Sequence, residues 1–181
     1  MKRLLVVLSM LITMTGCEMY TPPPKPPPVD TSNPAQVRAN ITVERDNFKK
    51  MTTYEGPDIT SPPPRNRSTV FIRAWKMENP HHTEYQVYAS SITEGSWKHY
   101  SSANDSKGNN FKVTRVQSKV LDCRSYGGCT HQEDVGISVT KEYLEAAVKS
   151  GGMHFQIAGT AGKEEFRIPG GYIQGFLATV Q

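Results

Sequence analysis

An α+β fold, mainly antiparallel β-sheet with two helices in its C-terminal half, is what this sequence predicts. Three observations carry it. Runs rich in Val, Ile, Thr, Tyr and Phe recur from residue 39 to 139, separated by clusters of Gly, Pro, Asn and Ser. Two later stretches switch to helical spacing of their apolar residues. The resulting order, six strands, helix, two strands, helix, argues antiparallel pairing with the helices on one sheet face.

In chain order, Lys2 and Arg3 precede an apolar run from Leu4 to Ile12, broken by Ser9, and then Met14-Thr15-Gly16-Cys17. That run is too short to span a bilayer as a helix and reads as a cleaved export signal. Met14 to Cys17 resembles the lipobox of bacterial lipoproteins, with Met where Leu is usual. The resemblance implies lipid on Cys17, cleavage after Gly16, palmitate at the new amino terminus and attachment to a membrane. Glu18, rather than Asp, follows the cysteine, which by the same resemblance implies the outer membrane with the domain facing the periplasm.

Pro22-Pro23-Pro24-Lys25-Pro26-Pro27-Pro28 can form neither helix nor sheet. It predicts a polyproline II spacer; about fourteen residues of it reach roughly 40 Å. A proline-recognising partner is the competing use of such a run. The predicted organisation is a signal peptide over 1–16, a lipidated amino terminus and proline-rich spacer over 17–38, and one globular domain over 39–181.

Residues 39–44 are the first predicted strand, with Ile41 and Val43 alternating against polar neighbours. Residues 49–61 are ambiguous, punctuated by Gly56-Pro57. Pro62-Pro63-Pro64 with Arg65 and Arg67 is a loop. Thr69 to Lys76 is continuously apolar at Val70-Phe71-Ile72, as a central strand would be. With 84–92 it predicts an antiparallel hairpin closed by a polar loop of about seven residues that holds His81 and His82. Trp97 to Tyr100 is a short aromatic strand and 101–110 a polar loop.

Phe111 and Val113 alternate in one phase, Val116 and Val120 in the other. A phase slip inside a strand predicts a bulge, here near Thr114-Arg115. Cys123 and Cys129 flank Arg124-Ser125-Tyr126-Gly127-Gly128, so an exported chain predicts a disulfide at a hairpin end. The spacing is not Cys-X-X-Cys, and two cysteines are too few for zinc. Thr140 suits an N-cap, with Glu142 in the first turn and Tyr143, Leu144, Ala147 and Val148 as one stripe. Residues 153–159 and 164–168 are strands. Pro169 opens a last helix whose Tyr172, Ile173, Phe176, Leu177 and Val180 predict a buried face.

Nothing in the chain spells a catalytic motif. There is no Gly-x-Ser-x-Gly, no His-Glu-x-x-His and no phosphate loop. Of the five histidines, His81-His82 with Glu84 is the sharpest metal candidate, but adjacent residues point apart, so the triplet reads as an exposed hairpin loop, and His99, His131 and His154 are isolated. Glu133-Asp134 and Glu164-Glu165 read as solvated pairs beside turns. The formal charge of +4, nearer +2 without Lys2 and Arg3, does not argue for nucleic acid. The sequence therefore predicts a non-enzymatic protein with no cofactor and no metal. Its leading function is a lipid-anchored protein-binding or assembly module with an envelope protein as partner. The alternative is an inhibitor or small-ligand-binding lipoprotein using the stapled hairpin. Tyr88, Arg124 and Tyr126 are the candidate interface residues, because Tyr and Arg are enriched at interface hot spots.

Overall fold

The computed structural model describes residues 28–60, 68–125 and 127–180. The signal and lipobox residues through Cys17, both proline runs except Pro28, and Tyr126 lie outside them. The observed fold is α+β and mainly antiparallel. Among the described residues no helix is long and apolar enough to cross a membrane.

The larger sheet contains β1 (Thr42–Asp46), β2 (Met51–Glu55), β3 (Ile59–Thr60), β4 (Thr69–Glu78), β5 (His81–Glu94), β8 (Val113–Arg124) and β9 (Gly128–Val139). Their order is β1-β2-β4-β5-β9-β8, with β3 beside the start of β4. A smaller sheet has the order β11-β10-β6-β7, from β6 (Tyr100–Asp105), β7 (Asn110–Phe111), β10 (Gly152–Gly159) and β11 (Gly162–Pro169). Helices α1 (Pro34–Ala39), α2 (Lys141–Lys149) and α3 (Gly170–Val180) complete it.

Alternation sets the core. Val70, Ile72 and Ala74 of β4, Val87 and Ala89 of β5, and Val135 and Ile137 of β9 point inward and are buried. They meet Met153, Phe155, Ile157, Phe166 and Ile168 of the smaller sheet in one hydrophobic cluster. Tyr172, Ile173, Phe176 and Val180 of α3 are buried in the same cluster, with Leu177 packed at its margin. The Tyr172 hydroxyl donates to Pro57 O at 2.8 Å and accepts from Ile72 N at 3.3 Å. One side chain thus ties α3 to β4 and to the β2–β3 connection.

Several expectations need correction. The packed unit begins before residue 39. Asn33 caps α1 by accepting from Ala35 N and Gln36 N, and Val37 is fully buried. Its seat is made by α3, where a Cβ on Gly171 would overlap the Ser32 carbonyl and one on Gly175 the Pro34 carbonyl. The last residues assigned to the spacer over 17–38 are therefore part of the domain. The β4–β5 connection is a two-residue turn at Asn79-Pro80, and His81 and His82 lie in β5. Residues 101–105 are strand, because β6 pairs with β10 and buries Ala103 opposite Ile157. Backbone pairing there overrides a polar composition. Trp97 lies in the β5–β6 connection, and Pro169 ends β11, with α3 starting at Gly170.

The predicted bulge is present, between Arg115 and Gln117, and a second falls between Val120 and Asp122. Each inserts one residue, so the alternation of β8 against β9 changes phase twice. Thr140 caps α2 by accepting from Tyr143 N at 3.1 Å.

Candidate functional site

The larger sheet has an outer face, opposite the one that meets the smaller sheet and α3. In β4 it carries Phe71, Arg73 and Trp75, the residues alternating with the buried Val70, Ile72 and Ala74. Register places Tyr88 beside Phe71, Gln86 beside Arg73 and Glu84 beside Trp75. Across β2, Glu55 pairs with Arg73 and Thr53 with Trp75.

These side chains form one stack. The Phe71 and Tyr88 rings lie 4.7 Å apart at 22°. The Arg73 guanidinium sits 4.6 Å from the Tyr88 centroid and 4.8 Å from that of Trp75. Its Nε and Nη2 both donate to Gln86 Oε1, at 2.9 and 2.6 Å. Gln86 lies flat over Gly136, where any Cβ would collide with the amide. Burial lowers the affinity of Arg73 for its proton, partly offset by Tyr88 and Glu55.

Behind the stack, the Tyr88 hydroxyl donates to Asp134 Oδ2 at 2.7 Å, and Gln132 Nε2 donates to both Asp134 oxygens. Burial, and then the Asp134 carboxylate, push the Tyr88 phenol up. Asp134 is 1% exposed and Glu133 3%. The solvated reading of that acidic pair is thus overturned. Adjacent residues on a strand face opposite ways, and both faces are occupied here. Glu133 points inward and accepts from Lys98 N and His99 N at 2.6 and 2.8 Å. Glu164, expected in solvent, is half-buried and accepts from Ser91 Oγ and from the Tyr100 hydroxyl. Burial comes first among the causes that push the Tyr100 phenol up to about 12. Nearby, the buried His131 ring lies 4.1 Å from that of Trp97.

Of the interface residues named from sequence, the structure places Tyr88 and Arg124 on the same outer face but does not bring them together. Tyr88 pairs with Gly136 and Arg124 with Gly128, so roughly 26 Å of strand separates them. Tyr126 lies outside the described residues. Cys123 and Cys129 are bonded and directly opposed in register, as the spacing predicted. Arg73 and Trp75, which complete the stack around Tyr88, lie in the Thr69 to Lys76 strand expected from sequence, where Trp75 suits a core aromatic and nothing marks either as a site. The available signal was their alternation with the apolar Val70, Ile72 and Ala74.

A second concave region lies outside the smaller sheet. A cavity of about 260 Å³ is lined by Asn104, Asp105, Ser106, His154, Phe155, Gln156 and Glu165. Its polar groups serve each other. Glu165 accepts from Gln156 Nε2 at 3.1 Å and lies 3.1 Å from His154 Nε2, which together hold its carboxyl below the usual range. Burial raises Asp105, but bonds from Asn109, Tyr143 and Lys107 outweigh it and lower the carboxyl. Asp105 thereby organises its own turn and ties down α2 through Tyr143. Among the described residues no group of three or more His, Cys, Asp and Glu side chains is placed to hold a metal.

The site and fold thus define a two-sheet α+β domain whose outer face carries a half-buried aromatic and guanidinium stack. No protein-family model, curated protein or solved structure matches the chain.

Proposed function

We propose that this chain is a lipid-anchored envelope lipoprotein whose domain is a protein-binding or assembly module rather than a catalyst. The observation that carries the binding role is the open-face stack of Trp75, Arg73 and Tyr88. Trp, Tyr and Arg are the residue types that most often dominate interface energy. Here they stand on paired strands, with rotamers held by stacking and by Gln86. The anchoring role rests on Met14 to Cys17, with the outer membrane favoured by Glu18, and the proline run supplies the stand-off.

Two measurements test this reading. Cys17→Ser should abolish labelling by a palmitate analogue and release the protein from outer-membrane fractions; continued labelling would refute the anchor. A photo-crosslinker at Thr53, on the open face, should trap one dominant envelope protein in cells. The stapled hairpin supports a second reading, insertion into a partner's cleft, because every residue from Thr114 to Ser125 is exposed. A crosslinker at Lys119 that traps a hydrolase, while one at Thr53 traps nothing, would favour it.

A further inference from the structure

We infer that the open face docks a basic segment of a partner protein that carries one embedded Asp or Glu, whose carboxylate seats on the free edge of Arg73. This inference rests on the binding-module reading and adds the partner's chemistry.

The first half of the argument is the guanidinium itself. Arg73 is half-buried, yet makes no ion pair among the described residues. A charge withdrawn from water with no carboxylate of the described residues at ion-pair distance costs free energy, which ring stacking and the field of Glu55 repay only in part. Nε and Nη2 converge on one oxygen, Gln86 Oε1, so among the described residues Nη1 and the second Nη2 hydrogen are not engaged. Those donors lie in one plane, in the fork that matches a carboxylate. The planes of Trp75 and Tyr88 and the contact of Gln86 with Gly136 fix the fork before any ligand arrives. Preorganisation of this kind removes most of the ordering cost of binding.

The second half is the charge around it. Register sets Glu44 beside Thr53, Glu55 beside Arg73 and Glu84 beside Trp75, all on the outer face and all exposed. Three acids thus surround one arginine. A dianionic phosphate or an anionic lipid surface would be repelled by that field. A second copy presenting the same face would set acids against acids. His82 Nε2 already lies 3.5 Å from Glu84 Oε1, so a segment with cations for Glu44 and Glu55 and a single carboxylate for Arg73 satisfies every group.

The test uses the exported full chain in detergent and the blocked peptide Ac-Lys-Leu-Asp-Leu-Lys-NH2, with its Asn counterpart as control. NMR signals of Arg73 Nε–H and the Trp75 indole N–H should move with the Asp peptide. Both should move at least tenfold less with the Asn peptide, and the Trp75 indole signal at least tenfold less with the Asp peptide on Arg73→Gln. Arg73→Lys, which keeps charge but not the fork, should weaken binding severalfold. Equal responses to the two peptides, no response to either, or a response to phosphatidylglycerol vesicles would overturn the inference. So would a dimer of the full chain that dissociates on Arg73→Gln. The in-cell crosslink from Thr53 separates the two levels. If it survives Arg73→Gln undiminished, the carboxylate inference fails and the binding module stands; if Thr53 traps no protein, the open face is not the interface.

Discussion

The two faces of β4 use alternate residues of one strand for opposite ends. Val70, Ile72 and Ala74 face inward and are no more than 2% exposed, sealed by α3 and the smaller sheet. Phe71, Arg73 and Trp75 face outward, Phe71 8% exposed and the other two half-buried, in contact with Tyr88 of β5 or with one another. The inner face is held by burial, which is non-directional and roughly proportional to area. The outer face is held by oriented contacts, ring on ring and guanidinium on ring, which are worth less to folding and more to recognition. Stability and binding should therefore be separable on this one sheet.

The largest effect should come from the inner side. Phe176→Ala empties a fully buried aromatic site in α3 and should cost roughly 3–5 kcal/mol, read as a large fall in the denaturation midpoint. A variant that melts like the parent while losing its crosslinked partner would turn α3 into the interface and erase the contrast. Next in size is the staple that closes β8 and β9. Cys123→Ala opens a short loop and should lose about 2 kcal/mol without abolishing folding. Intact mass should differ by two hydrogens between reduced and unreduced protein; two alkylatable thiols without reductant would refute the bond.

Smaller still is Tyr88→Phe. It removes a donor from the buried Asp134 but leaves Gln132, so a loss of about 1.5 kcal/mol is expected, measured by urea unfolding. The smallest change in stability should follow Arg73→Gln, below about 1 kcal/mol, although it should have the largest effect on docking. If Arg73→Gln destabilised the domain as much as Phe176→Ala, the outer face would be part of the folding core.

Much of this was legible beforehand. The central strand at Thr69, the disulfide hairpin, the capped helix after Thr140 and the buried stripe of α3 all declare themselves through spacing along a few consecutive residues. The open-face stack did not, since Arg73 and Gln86 meet only through the register of β4 on β5. The outcome for Glu133 and Asp134 was equally hidden. Their burial depends on Lys98 and His99 on one side and Tyr88 on the other, all distant in sequence.

By itself, the sequence determined the class of fold, the staple between Cys123 and Cys129 and the burial of α3. Periodicity, capping and cysteine spacing are local properties, read within a turn or a strand. Only the tertiary structure decided that α1 belongs to the domain, since its seat exists only where Gly171 and Gly175 admit the chain between Ser32 and Pro34. It likewise decided that Arg73 lies stacked and, among the described residues, with no carboxylate at ion-pair distance. Pairing register and close approach join residues far apart in the chain, and no local pattern encodes which of them will meet.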